Sequence, residues 1–273
     1  MITVLGASGF IGSHLVKRLD ALGSDYQAIG RNDALPAGPL GQVVYCIGLT
    51  ADFRSRPFDT VEAHVCKLLA VLRDCRFDSL LYLSSTRLYT GADSTDEETA
   101  IRVAPVEPSD LYNASKVMGE SLVLNCGRPA YVVRISNVYG DDFESDNFLP
   151  SIIRDAIVAQ KIVLQTSADS AKDYISIDDV VNNLIAIAKS GKERIYNLAS
   201  GVNVSNNELA GALRDVTGCT VEFAPQAPSV TFPSIKIERL RAEFDFKPSH
   251  VISDIPHLVD LCRRDADSSH DQS

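Results

Sequence analysis

The 273 residues contain only five scattered histidines, six cysteines without one Cys-x-x-Cys pair, and 26 Lys and Arg against 36 Asp and Glu, a formal net charge of −10. Each shortage excludes something. Without His, Cys and carboxylate groups at close spacing, no metal site is expected. The cysteines, at 46, 66, 75, 126, 219 and 262, fall largely in apolar strand or helix patterns and are expected as small reduced core residues. The acidic balance argues against a broad nucleic-acid or anionic-membrane surface, so any phosphate has to be held by local amides and a few basic residues. No apolar run approaches the roughly 20 residues that span a bilayer. The first apolar strand begins at Met1, leaving no room for a cleavable leader, and the expectation is a cytoplasmic protein. Hydrophobic residues make up 45% of the chain, enough for a core that needs no staples.

Against these absences stands a glycine pattern, Gly6-Ala7-Ser8-Gly9-Phe10-Ile11-Gly12. Residues 2–5 read as a buried strand and the segment through Leu19 as an amphipathic helix, so the glycines lie at a strand-to-helix turn. Missing side chains there let the backbone bend tightly and approach a pyrophosphate, whose charge the amides at the helix start favour. The candidate cofactor contacts are Gly6, Ser8, Gly9, Phe10, Ile11 and Gly12. The glycine spacing differs from the commoner fingerprint, and a plain connecting turn is the alternative.

A second pattern is Tyr112-Asn113-Ala114-Ser115-Lys116. If 109–126 is a helix with Ser109 as N-cap, Tyr112 and Lys116 share one face. An ammonium close to a phenol favours the phenolate, and such a tyrosine exchanges a proton with a hydroxyl or carbonyl near neutral pH. Taken alone the pair also suits a solvated helix face. A third feature is the strand 79–83 ending at Ser84-Ser85-Thr86, hydroxyls at the strand end where open α/β sheets bind ligands.

The order of these pieces resembles the extended short-chain dehydrogenase/reductase family, the epimerases, dehydratases and ketoreductases of nucleotide sugars. The resemblance spans nearly the whole chain and adds Tyr89 four residues after Ser85, Arg134-Ile135-Ser136-Asn137-Val138-Tyr139-Gly140, Lys172-Asp173-Tyr174-Ile175, and Tyr196-Asn197-Leu198-Ala199. It implies that Ser85 holds the reacting oxygen with Thr86 in reserve, that Tyr112 is the acid/base, and that Lys116 binds the nicotinamide ribose and lowers the Tyr112 pKa. It also implies that Thr86, Asn137, Asn147, Phe148 and Lys172 line the substrate side. The implied partners are a nucleotide sugar and a second copy of the chain, paired through Val117, Met118, Leu122 and Val123.

Strand-like runs at 2–5, 26–29, 43–47, 79–83, 130–135, 162–165 and 195–198 alternate with helical patterns. The expected fold is α/β, a doubly wound parallel sheet of Rossmann type with a smaller α/β substrate-binding lobe. Residues 1–140 and 162–199 are assigned to the dinucleotide lobe, 141–161 and 200–264 to the substrate lobe, and 265–273 to a disordered tail.

Departures from the family narrow the chemistry. Dehydratases carry an Asp-Glu pair just after the catalytic hydroxyl residue, whereas this chain has Thr86-Arg87; the 3,5-epimerases carry a Cys where Arg87 stands. His64 stands where many relatives have Asn. Gly30-Arg31 ends the second strand, where NAD-preferring members hold an acid, and an Arg there suits a 2′-phosphate. NADP(H) is therefore favoured and NAD(H) possible, with Asp33 as the alternative ribose partner. The expected function is hydride transfer at one sugar carbon, foremost reduction of a nucleotide-linked 4-keto (6-deoxy) sugar. A 4-epimerase retaining NAD is the alternative, and a non-catalytic dinucleotide-binding sensor or scaffold the second.

Overall fold

A computed structural model describes residues 1–50, 52–107 and 109–270. The chain opens with β1 (Ile2–Leu5), α1 (Phe10–Ala21), β2 (Tyr26–Ile29), β3 (Gln42–Tyr45), α2 (Pro57–Val61) and α3 (Lys67–Asp74), the two helices joined by a π-helical turn, Glu62–Cys66. Next come β4 (Ser79–Ser85), a 3-10 turn at Thr86–Tyr89, α4 (Asp110–Asn125), β5 (Ala130–Ile135), β6 (Asn137–Tyr139), α5 (Phe148–Arg154) and β7 (Lys161–Leu164). The remainder is β8 (Ala171–Ser176), α6 (Ile177–Ser190), β9 (Ile195–Leu198), β10 (Asn203–Ser205), α7 (Asn206–Thr217), β11 (Thr220–Phe223), α8 (Glu238–Phe244) and α9 (Val251–His270).

Six strands form one sheet in the order β2-β1-β3-β4-β5-β9, and every pairing in it is parallel. Parallel sheets are covered on both faces, so their strands are apolar throughout. Ile2, Val4, Val44, Leu81 and Val133 pack on one side with Leu15 and Leu19 of α1 and Val180, Val181 and Leu184 of α6. Leu5, Val43, Tyr45, Leu80, Tyr82 and Val132 pack on the other with Leu68 and Val71 of α3 and Val123 of α4. Each fully buried aliphatic or aromatic side chain contributes about 1.5–3 kcal/mol. The chain steps from β1 outward to β2 and then back across to β3, so the strand order reverses at β1. Open α/β sheets bind ligands at such a switch point, outside the carboxyl ends of the strands.

A smaller lobe sits at that edge. It holds the three-stranded sheet β10-β8-β6, the pair β11-β7, and a separate core with Leu149 and Ile153 of α5, Leu209 and Leu213 of α7, and Ile255 and Val259 of α9. Three expectations change. The strand expected at 162–165 in the main sheet is β7, which pairs in parallel with β11, because Ile162 and Leu164 bury into the smaller core. The tail expected as disordered from 265 continues α9 through His270, and 271–273 lie outside the described residues. Ser109 stands at the N-cap position of α4 without a side-chain cap bond. Asp110 holds that end instead, accepting from the Ala104 amide at 2.9 Å and from Asn113 Nδ2 at 2.9 Å.

Among the described residues no helix is long and apolar enough to cross a membrane. All six cysteines are unpaired, Cys219 and Cys262 buried and Cys66 exposed.

Candidate active site

The glycine turn closes tightly over the switch point. Gly6 takes φ +89°, and a Cβ there would lie 2.9 Å from the Ile47 amide nitrogen at the end of β3. A Cβ on Gly12 would come within 2.2 Å of the Gly6 carbonyl oxygen, which also accepts the Gly9 amide at 3.1 Å. Helix α1 then begins with Gly9 at its N-cap, no side-chain cap and no acidic residue in its first turn. Its first amides and the positive end of its dipole are therefore available to an anion. This loop fits a dinucleotide pyrophosphate, and Ser8, Phe10 and Ile11 lie on it. Phe10 meets His14 edge-on at 5.0 Å, and His14 Nε2 pairs with Asp141 at 2.8 Å, fastening α1 to the turn after Tyr139.

Across the crevice, Tyr112 and Lys116 lie on one buried face of α4. Burial pushes the Tyr112 phenol above its ordinary pKa, while a hydrogen bond from Ser85 and the charge of Arg87 pull the other way. The expectation that Lys116 lowers that phenol is not met. Its ammonium donates to the Leu83 carbonyl at 2.8 Å and lies 5.9 Å from the Tyr112 ring centre, so the backbone, not the phenol, takes the charge. Ser85 is the hydroxyl that meets Tyr112. Thr86, its reserve, turns into the sheet toward the Ile135 carbonyl at 3.5 Å.

Burial lowers Lys116 to about 7. Between about pH 7 and its unfolded value the unfolded chain binds the extra proton, so stability rises with pH through this group. Below about pH 7 the folded state carries the full cost of a buried ammonium. We expect Lys116→Met to stabilise the cofactor-free protein by about 1–2 kcal/mol at about pH 6, a gap that narrows toward about pH 10. Thermal unfolding followed by circular dichroism measures it, and a gap that does not change with pH contradicts it.

His64 orders this helix from the side. The Leu49 amide donates to its Nε2 at 3.1 Å, which leaves the proton on Nδ1 to be donated to Ser115 Oγ at 2.8 Å. Ser115 in turn donates to the Tyr112 carbonyl at 2.8 Å. Burial first, then Lys116 and Arg31, hold the imidazole neutral by lowering its pKa. Its ring stands edge-on to Tyr112 at 5.3 Å. The π-helical turn carrying His64 presses on α4 so closely that a Cβ on Gly119 would lie 3.0 Å from the His64 carbonyl oxygen.

The substrate side is partly assembled. Lys172 Nζ lies over the Phe148 ring at 5.1 Å and the Phe232 ring at 6.0 Å. Asn137 Nδ2 is engaged by the Asp173 carbonyl at 2.8 Å, and Asn147 is exposed at the start of α5 with no side-chain cap bond. Two groups escaped the sequence reading. Phe53 packs on Tyr112 at 5.0 Å, and Arg87 lies 5.6 Å from the Phe53 ring centre. Their signals were positional: Phe53 lies in the loop after β3, at the ligand-binding edge, and Arg87 two residues after Ser85. Arg31 reaches back across the strand ends and donates to the Gly48 carbonyl at 2.6 Å, while Asp33 accepts the Gly30 amide at 2.7 Å.

A glycine turn, a buried Tyr-x-x-x-Lys face and a facing serine on a parallel sheet have many counterparts. The profile of the NAD dependent epimerase/dehydratase family matches residues 39–199. This chain belongs to that family. A dTDP-4-dehydro-6-deoxy-D-allose reductase of Streptomyces sp is 26% identical to this family member, the match covering 90% of this chain and 91% of the other. A UDP-glucose 4-epimerase of Mycolicibacterium smegmatis is 27% identical, over 85% of this chain and 86% of the other. Among solved structures, MoeE5 in complex with UDP-glucose and NAD has a TM-score of 0.80 at 21% identity, covering 97% and 99% of the two chains. RMD from Pseudomonas aeruginosa complexed with NADPH has a TM-score of 0.78 at 21% identity, covering 96% and 99%. The homologues of this family member are NAD(P)-dependent reductases, epimerases and dehydratases acting on sugars.

Proposed function

We propose that this enzyme reduces the keto group of a nucleotide-linked 4-keto sugar, of the 4-keto-6-deoxy class named for its Streptomyces relatives. The observation that carries the reading is the hydrogen bond of half-buried Ser85 to the buried Tyr112 phenol, with Arg87, not an acid, in the following turn. Dehydration needs a group there that removes a proton from carbon, and a guanidinium has no basic lone pair to do so. A bound nicotinamide supplies the hydride. Ser85 holds the substrate oxygen by hydrogen bond, Tyr112 delivers its phenolic proton to that oxygen as the carbonyl becomes a carbinol, and the Ser85 hydrogen bond and the Arg87 charge favour the phenolate left behind. The loop Gly6–Gly12 holds the pyrophosphate. Asn137, Asn147, Phe148 and Lys172 are assigned to the substrate.

The test is NADPH consumption with a dTDP-linked 4-keto-6-deoxy sugar. One cofactor oxidised per carbinol formed supports the reading. Protein that retains NAD through purification and interconverts UDP-glucose with its C4 epimer, without net oxidation, replaces it with the epimerase reading, which the mycobacterial relative favours.

For the cofactor, Arg31 supports a preference for the 2′-phosphate. Its guanidinium already spans the ends of β2 and β3, where it can release Gly48 or share it. Asp33 has one carboxylate oxygen committed to Gly30. Arg31→Asp is expected to weaken NADPH binding about 10–100-fold more than NADH binding, the size of a lost charge-assisted pair. Equal weakening of both removes the argument. A homodimer through α3 and α4 is supported by exposed Leu69 and Met118. Of the four residues expected on that face, Val123 is buried against the sheet and is left out of it.

A further inference from the structure

Three cations lie near one another on the substrate side: the charge of Arg87 reaches Tyr112 and Lys172, and that of Arg54 reaches Arg87. Arg54 lies 4.5 Å from the centre of the Phe53 ring, and Arg87 approaches the same ring at 5.6 Å. Phe53 itself covers the phenol ring. From the smaller lobe comes Lys172, on Phe148 and Phe232. Among the described residues none of the three has a carboxylate within ion-pair reach. Arg87 Nε is buried with no hydrogen-bond partner. Asp110, the acid whose field Arg87 feels, has both carboxylate oxygens engaged, by the Ala104 amide and by Asn113.

The arrangement is unfavourable as it stands. Burial lowers the Arg87 pKa and Arg54 lowers it further; burial likewise lowers Lys172, with Arg87 adding to the effect. Two partly buried cations, Arg87 and Lys172, with an exposed third, Arg54, beside Arg87 and one unsatisfied donor among them, are stabilised most by an anion placed between them. In a chain of net charge −10 the cluster is also a local reversal of field. Aromatic rings beneath Arg54, Arg87 and Lys172 hold these side chains without consuming their donors.

We propose that Arg87, flanked by Arg54 and Lys172, is the docking point for an oxyanion of the substrate beside the Tyr112 phenol. The inference rests on the nucleotide-sugar reading above and assigns the grip to the turn after Ser85 and the loop after β3. The chain has no arginine at Ala224–Ser229, and Lys172 supplies a point charge where an Arg would supply a fork. Arg87 provides the fork, which matches a phosphate or a carboxylate bidentately. The oxyanion comes from one of two places, the diphosphate of the nucleotide or a carboxylate on the sugar ring, and binding measurements separate them.

Equilibrium titrations of UDP, dTDP, UDP-glucose and UDP-glucuronic acid into the protein and into Arg87→Gln, with NADPH affinity as the check on folding, provide the test. Arg54→Gln, at an exposed position, gives the same readout without disturbing the buried turn. A loss of about 10-fold or more for every probe in Arg87→Gln, with a smaller loss in Arg54→Gln, assigns the oxyanion to the diphosphate. The same loss confined to UDP-glucuronic acid assigns it to a ring carboxylate. Affinities unchanged in Arg87→Gln overturn the inference and leave the nucleotide-sugar reading standing. If Arg87→Gln loses NADPH binding, Arg54→Gln decides, and unchanged affinities there overturn the inference. A parent protein that binds NADPH but none of the probes overturns the nucleotide-sugar reading and this inference with it.

Discussion

Tyr112→Phe is expected to lower kcat by about 10²–10⁴-fold while leaving affinity for cofactor and substrate within about twofold. The substitution removes one hydroxyl and no ring, so the contacts with Phe53 and His64 at 5.0 and 5.3 Å persist and no cavity opens. What is lost is the phenolic proton beside Ser85. The fall should appear in kcat and not in KM, because the proton moves only as the carbonyl is reduced. Steady-state kinetics beside cofactor titration measure both. Retention of more than about a tenth of the parent kcat means that another group protonates the oxygen. No change in any measurable property instead favours a dinucleotide-binding module without turnover.

The parts of this site that were legible in the sequence are those whose signal is local. Gly6, Gly9 and Gly12 betray a turn by their spacing, and at Gly6 and Gly12 the backbone leaves no room for a Cβ, while Tyr112 and Lys116 share a helix face through spacing alone. The strand end at Ser84–Ser85 was legible for the same reason, an apolar run stopping at hydroxyls. The parts that were not legible depend on distant partners. Lys161–Leu164 has the pattern of a main-sheet strand, and only the position of β11 takes it into the smaller lobe. The Lys116 ammonium was expected to serve the phenol; the Leu83 carbonyl, thirty-three residues earlier in the chain, receives it instead. Arg87 was read only as the absence of an acid. That it stays unpaired is a property of Asp110 being occupied and of Arg54 and Lys172 arriving from other segments. His64 showed as a departure from relatives, and its link through Ser115 to the Tyr112 carbonyl appears only when the π-helical turn is packed on α4.

Glu120→Ala is expected to cost about 3–5 kcal/mol of stability, the largest structural effect predicted for this chain. Arg134 and Glu120 form a bidentate pair, Nε to Oε1 at 2.9 Å and Nη2 to Oε2 at 2.7 Å, with side chains 4% and 6% exposed. The remaining guanidinium donor, Nη1, reaches Tyr89 Oη at 2.8 Å and the Glu97 carbonyl at 3.1 Å. Tyr89 donates onward to Asn197 Oδ1 at 2.7 Å, whose Nδ2 serves the Thr95 and Lys236 carbonyls at 2.8 and 2.9 Å. Burial lowers the Arg134 pKa, and with Glu120 present its bonds and charge outweigh that effect; without Glu120 the guanidinium still stays charged, because arginine is too strong a base to lose its proton near neutral pH. Glu120→Ala thus strands a cation among β4, β5, β9 and α4, the elements that carry Ser85 and Tyr112. Replacing both members by Leu and Met of similar volume should cost far less than the single change, because the expense lies in the orphaned charge and not in the absence of the pair. Urea unfolding of the three proteins decides it. A single-variant cost below about 1 kcal/mol would mean that water reaches Arg134, and the double variant would then be the less stable of the two.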